Sequence, residues 1–281
     1  VVKDFAKKLD YDTPAELQNS VLGIIVGKSY KPVTLTGQPM YATGFPLLVF
    51  SQGVIPQFQI NDKELIPESP LNIAGQIYNA SVTFSSDGIM DNLGLVLYPT
   101  AIYYLFHKPG SYYLNRWKDL VSESPIDGRL LYKKLINNSD QEHRILLLLD
   151  YLKGLNKNRL EPIDWLDRAI ASILQSNGII QQSILAEQAG VSMRHFRRVF
   201  KNIIGMPPKY YCKVIQINTV FHLMNSSASD KLHHLALDCG YYDQAHFIKD
   251  FNKFIGASPE NFLNGHHAYV KSYLGRSSKS P

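Results

Sequence analysis

Residues 185–211 and 235–262 are two copies of one pattern, and each reads as a helix, a sharp turn and a second helix. A shift of 50 residues up to the turn, and of 51 beyond it, superposes Leu185 on Leu235, Ala186 on Ala236 and Gly190 on Gly240. It then superposes His195 on His246, Phe196 on Phe247, Phe200 on Phe251, Ile204 on Ile255, Gly205 on Gly256 and Pro208 on Pro259. Only this framework is repeated; the residues between its positions differ. Two copies are too few for a stacked solenoid, which buries its faces with three or more repeats, so the pattern predicts a paired module.

In the first copy a short helix over 182–189 ends at Gly190, a residue suited to the left-handed conformation that stops a helix. Ser192 then caps a second helix running to about residue 204. At 100° per residue, Phe196, Val199, Phe200 and Ile203 fall on one side and Arg194, Arg197, Arg198 and Lys201 on the other. Residues 181–213 hold six basic residues against one acid, Glu187. A solvated basic face would have to explain four cations with no acid among residues 192–204. A DNA major groove about 12 Å wide admits one helix, and arginine offers the paired donors that match guanine. Arg194, Arg197 and Arg198 are therefore expected at base edges or nearby phosphates, and Lys201 at the backbone.

The second copy keeps the scaffold without the charge. Asp243 caps its second helix, Phe247, Phe251 and Phe254 form the buried side, and Ala245, Ile248, Lys249 and Asn252 occupy the places of the cationic stripe. Residues 231–263 hold three basic and four acidic residues. Ile248 either meets a thymine methyl or is partly buried in its own unit. Between the copies, 207–226 reads as one helix roughly 30 Å long, close to the spacing of about 34 Å at which major-groove faces recur.

The first half has another texture. Residues 1–30 give a weak helical pattern and then an apolar patch over 21–26. Short β-branched and aromatic runs follow at 46–50, 57–60, 71–78, 81–84 and 93–98, separated by turn residues such as Asn61-Asp62 and Asp87-Gly88. They predict a small antiparallel sandwich or barrel, and the chain as a whole reads as α+β. Helices are expected at 101–106, 128–137 and 141–155. In the last, Ile145, Leu148, Leu149 and Leu152 form one apolar stripe, available either to the chain's own barrel or to a two-fold partner, and they are the candidate dimer interface. Residues 156–162 read as a linker with Pro162 in the first turn of the next helix. The aromatics Tyr41, Phe45, Phe58, Tyr78 and Phe84 either fill the barrel or line an apolar ligand pocket.

Other functions find little support. A metal-binding or catalytic barrel needs clustered His and carboxylate ligands, yet His107 is the only histidine before His143. Residues 1–160 contain no nucleophile elbow, P-loop or dinucleotide fingerprint. The adjacent pairs His233-His234 and His266-His267 do not have ligand spacing. Cys212 and Cys239, the only cysteines, read as small buried hydrophobes. No metal, no cofactor and no catalytic residue is expected. No apolar run approaches the roughly 20 residues of a membrane helix, and the start, Val1-Val2-Lys3-Asp4, has no signal-peptide core, although the absence of an initiator Met hides the true N-terminus. A cytoplasmic location is expected.

Residues 162–263 resemble the DNA-binding domain of the AraC family of bacterial transcription regulators. The similarity rests on Leu185-Ala186 with Gly190, then Phe196-x-Arg198-x-Phe200-Lys201 and Gly205-x-x-Pro208-x-x-Tyr211. It continues through Leu235-Ala236, Gly240-Tyr241, residues 243–247, Phe251 and Gly256-x-x-Pro259-x-x-Phe262. The resemblance implies seven helices holding two helix-turn-helix units, with base contacts from Arg194, Arg197 and Arg198 and, in the second unit, from Gln244, Ala245, Ile248 and Lys249. Gln216, where many members have Arg, and Val220, where they have Ala, depart from the family pattern. Residues 1–158 look, less specifically, like the family's cupin-like regulatory domain with dimerisation helices, followed by a DNA-binding domain over 159–264 and a flexible tail over 265–281. A homodimeric, sequence-specific regulator of transcription is expected, acting on double-stranded DNA and RNA polymerase and open to a small effector. The alternatives are an architectural DNA binder without effector control and, further off, an enzyme with a catalytic barrel.

Overall fold

The first half forms two antiparallel sheets, and the computed structural model describes residues 6–226, 236–237 and 239–264. In chain order the strands are β1 (Ala6–Leu9), β2 (Val21–Lys28), β3 (Val33–Met40), β4 (Leu47–Ser51), β5 (Gln57–Ile60), β6 (Lys63–Leu65), β7 (Leu71–Ala74), β8 (Val82–Gly88), β9 (Asp91–Leu97) and β10 (Trp117–Asp119). One sheet runs β1-β2-β9-β4-β7-β10 and the other β3-β8-β5-β6. Alternation sets the faces: β5 buries Phe58 and exposes Gln57 and Gln59, and β8 buries Val82, Phe84 and Ser86. Strand β7 is buried at every position, because Leu71 and Ile73 join the core under the helices while Asn72 and Ala74 line the space between the sheets. Asn61 and Asp62 both take positive φ between the paired residues Ile60 and Lys63, the two-residue turn that suits the strand twist.

The structure corrects the helical reading of residues 1–30. Ala6–Leu9 is an edge strand registered on Ile24–Gly27, and among the described residues of this stretch the helical piece is the 3-10 turn Ala15–Leu17. Strand β3 was not anticipated either; a bulge between Leu35 and Gln38, with Gly37 at φ +57, breaks the alternation that would reveal it.

Five helices complete this half: α1 (Ala101–Phe106), α2 (Gly110–Tyr113), α3 (Leu120–Glu123), α4 (Asp127–Ile136) and α5 (Gln141–Asn156). Asp140 caps α5 by accepting from the His143 N–H at 2.8 Å. The stripe Ile145, Leu148, Leu149 and Leu152 is at most 2% exposed and packs into the core with Leu71, Ile73 and Leu95. This corrects its assignment to a dimer interface, because the six-stranded sheet has an apolar outer face that must be covered, and α5 is the cover. Arg144, also on α5, is 2% exposed, pairs with Asp91 at 3.0 Å and donates to the carbonyls of Asn138 and Ser139.

The second half is helical: α6 (Asp164–Gln175), α7 (Gln182–Gln188), α8 (Met193–Ile204), α9 (Pro208–Ser226), α10 (Gln244–Ile255) and α11 (Pro259–Asn264). Helix α6 begins after Pro162 rather than at it. The presumed linker is hydrogen-bonded to the first half: Leu160 N donates to Tyr104 O at 2.9 Å, Ile163 N donates to the Tyr104 hydroxyl at 2.8 Å, and Asn158 O lies 2.9 Å from His107 Nε2. Asp167 on α6 accepts from Thr100 and Tyr104, and Tyr98 donates to its backbone carbonyl. Burial pushes the Asp167 carboxyl above the usual carboxylate range, with the hydrogen bonds from Thr100 and Tyr104 opposing the shift. Leu235, the paired histidines 233–234 and 266–267, and the tail over 265–281 lie outside the described residues.

Candidate nucleic-acid interface

The first helix-turn-helix unit forms where the sequence placed it. Helix α7 ends at Gln188, Gly190 (φ +65) turns the chain, and Ser192 caps α8 by accepting from the His195 N–H at 3.3 Å. Gly205, φ +94, terminates α8 in the left-handed conformation. Phe196, Phe200, Ile203 and Ile204 are at most 2% exposed and pack with Leu166, Ile170, Leu185 and Tyr211. That burial turns Arg194, Arg197, Arg198 and Lys201 to solvent. Among the described residues none of these four takes part in an ion pair. Arg197 donates to Gln182 at 3.1 Å and Arg198 lies 3.4 Å from His195 Nδ1, so neither of these contacts is with an acid.

From Gly240 onward, where the second unit is described, it matches the first. Asp243 caps α10 by accepting from the His246 N–H at 2.7 Å, and Gly240 (φ +74) and Gly256 (φ +79) match Gly190 and Gly205. Phe247 and Phe251 are fully buried. Gln244, Ala245, Lys249 and Asn252 are exposed on the reading side. Ile248 is half-buried against its own core, so packing accounts for the apolar residue among them. The matched histidines share a setting: His195 leans on the Trp165 ring at 6.0 Å and His246 on the Tyr241 ring at 5.3 Å.

Helix α9 joins the units; its 19 residues span about 28 Å at the α-helical rise. Phe254 packs against both cores and lies 5.0 Å from the Tyr210 ring. Lys213 pairs with Asp250 at 2.7 Å and sits over the Tyr241 ring at 4.5 Å. Gln216 is 5% exposed and donates to Cys239 O at 2.6 Å. This hydrogen bond ties α9 to the second unit. Val220 is fully buried in that unit's core, and Cys212 and Cys239 are buried too.

Of the aromatics assigned to a ligand pocket, Tyr41, Phe45, Phe58 and Phe84 line one cavity between the sheets. Tyr78 does not; it meets Tyr210 edge-on at 4.6 Å at the junction of the halves. Asn72, Gln76, Asn92 and Trp117, also in the cavity wall, were missed. The signal for Asn72 was a polar residue inside the apolar run Leu71-Asn72-Ile73-Ala74.

A capped helix-turn-helix unit with an exposed cationic face, joined by α9 to a second capped helix, defines a helix-turn-helix DNA-binding protein. Residues 185–265 match the family described as "Helix-turn-helix domain". The HTH-type transcriptional activator RhaS of Escherichia fergusonii is 27% identical over 141 residues, 46% of this chain and 48% of that protein. An uncharacterized HTH-type transcriptional regulator of Haemophilus influenzae is 33% identical over 100 residues, 34% of this chain and 33% of the relative. These matches span about half and a third of the relatives' own lengths. Among solved structures, the C-terminal domain of AraT from Geobacillus stearothermophilus matches 37% of this chain and 86% of its own, with 25% identity and a TM-score of 0.34. ToxT from Vibrio cholerae matches over 85% of this chain and 95% of its own, with 14% identity and a TM-score of 0.45. Residues 185–265 are thus a helix-turn-helix domain, similar to those of HTH-type transcription regulators.

Proposed function

We propose that this protein is a sequence-specific regulator of transcription, with α8 as the dominant reader and α10 as a weaker companion. The observation that carries the reading is the α8 face: Arg194, Arg197, Arg198 and Lys201, exposed, free of ion pairs among the described residues, and presented by a helix whose opposite side is buried. Arg194, Arg197 and Arg198 supply the base-reading donors, Lys201 and the caps at Ser192 and Asp243 lie beside the phosphates, and Gln244, Ala245, Lys249 and Asn252 contact the adjacent groove segment. The acidic balance of the second unit leaves affinity and salt dependence to the first.

The protein acts in the cytoplasm as a homodimer on duplex DNA, engages RNA polymerase at the promoter, and takes a small effector in the first half. With the Leu149 stripe buried, a partner copy is instead assigned to exposed residues of α4 and α5, where Leu130 and Leu146 are 54% and 46% exposed. Selection from random duplexes tests the function directly: enrichment of a defined site is expected, and equal binding to all sequences at physiological salt would refute it.

A further inference from the structure

An open groove of about 750 Å³ runs between α7 and α9, where the two helix-turn-helix units adjoin. Its floor is the α9 stripe Lys209, Cys212, Lys213 and Gln216, whose spacing puts all four on one side of the helix. Gly178, φ +78, sits so near α9 that a Cβ there would collide with Cys212 O. The second unit stands directly beside the groove. Gly240 is close enough to Ile179 that a Cβ would lie 2.6 Å from Ile179 Cδ1, and Gln216 donates to Cys239 O at 2.6 Å.

The lining contains Arg197, Lys209 and Lys213 and no Asp or Glu. Lys213 is held by Asp250 of α10 at 2.7 Å, whereas Arg197 and Lys209 take part in no ion pair among the described residues. Arg197 belongs at once to the groove and to the α8 reading face. Its Nε donates to Gln182 Oε1 at 3.1 Å, and Gln182 also lines the groove, which therefore opens on the side that α8 presents to DNA. The rim around the cations is apolar, with Ile179 47% and Ile184 41% exposed. Cations set among exposed carbon suit a nucleic-acid strand, whose backbone offers both phosphate and sugar.

A duplex that meets α8 and α10 in neighbouring major-groove segments turns the intervening minor groove toward α9, with a strand along each of its edges. We propose that one of these strands runs over the groove and that Lys209, with Arg197 beside it, holds one of its phosphates. The proposal rests on the DNA reading above and adds a contact made only by the duplex lying between the two reading helices. Such a contact fixes register without reading sequence. Lys209 stands unpaired where the strand passes, while Lys213, one turn further along, is committed to α10.

The test uses the full chain and the selected duplex, with one uncharged methylphosphonate linkage placed in turn at each position between the two half-sites. The parent should lose about threefold or more in affinity at one or two adjacent linkages. Lys209→Ala, a change at an exposed position, should bind the unmodified duplex about three- to tenfold more weakly, with a salt slope lower by about one, and lose nothing further at those linkages. Lys209→Arg should restore the parent's pattern, and Lys201→Ala should keep the sensitivity to the same linkages. Equal losses in the parent and in Lys209→Ala at every linkage would overturn the proposal, as would an unchanged slope. Saturable binding of inorganic phosphate that is lost in Lys209→Ala, with parent and variant alike on the modified duplexes, would assign the groove to a free anion and overturn the strand. A protein that selects no site overturns the function proposed above instead. The salt slope on a random duplex then decides the groove by itself: a slope lower by about one in Lys209→Ala supports it and an equal slope overturns it.

Discussion

Thr100 and Asp167 meet where the two halves join, the Thr100 hydroxyl donating to Oδ1 at 2.8 Å while the Tyr104 hydroxyl reaches Oδ2 at 3.1 Å. The same Tyr104 oxygen accepts from Ile163 N, so one phenol serves both a carboxylate and the first turn of α6. Tyr104→Phe leaves an acceptor and a buried N–H short of a partner and should cost about 1–3 kcal/mol by chemical denaturation.

The raised Asp167 carboxyl has a pH consequence with a defined sign. A carboxyl whose folded value lies above its ordinary 3.8 adds stability below that value and loses it as pH rises through the folded one. Asp167→Asn cannot ionise. The melting temperature of the parent relative to Asp167→Asn should therefore fall as pH rises from about 3.8, then level off. A difference that grows with pH would show that the hydrogen bonds to the ionised form outweigh its burial.

Arg198→Ala should weaken binding to the selected site by about 1–3 kcal/mol and relax preference at one base pair. Lys201→Ala should instead weaken all duplexes alike and lower the salt slope by about one. Competition titrations at several salt concentrations separate the two.

Gln216→Ala removes the donor to Cys239 O and should destabilise the protein by about 1–3 kcal/mol. Because that bond joins α9 to the turn of the second unit, affinity for the full selected site should fall more than affinity for the half-site under α8. Binding measured on both duplexes tests this.

Leu149→Glu should unfold the first half rather than dissociate a dimer, since the side chain is 1% exposed and its charge would be buried unpaired. A folded, cooperatively melting monomer would contradict that. Leu130→Glu and Leu146→Glu, by contrast, should leave the melting temperature within a few degrees while lowering the sedimentation mass.

The helical half was legible in the sequence because its information is local. Caps at Ser192 and Asp243, glycines at 190, 205, 240 and 256, and one 3.6-residue periodicity locate α8, α9 and α10 to within a residue or two. The first half was less legible because its edges depend on partners far along the chain. Strand β1 exists through β2, and β3 hides behind its bulge. The α5 stripe showed that a surface had to be buried without showing against what. The cavity was half visible: its aromatics were, but Asn72, Gln76 and Asn92 acquire meaning only when three strands bring them together.

Over residues 211–221, helix α9 has almost no spare surface. Tyr211, Val214 and Ile215 serve the first core, Val220 and Phe221 the second, Gln216 holds a turn, and Asn218 holds the 41–46 loop. A substitution there that tuned the distance between DNA half-sites would disturb what the first half feels, and the reverse also holds. Divergence among relatives should consequently be slow along this helix and concentrated at Arg194, Arg197 and Arg198, where a new target sequence can be adopted without renegotiating the rest of the molecule.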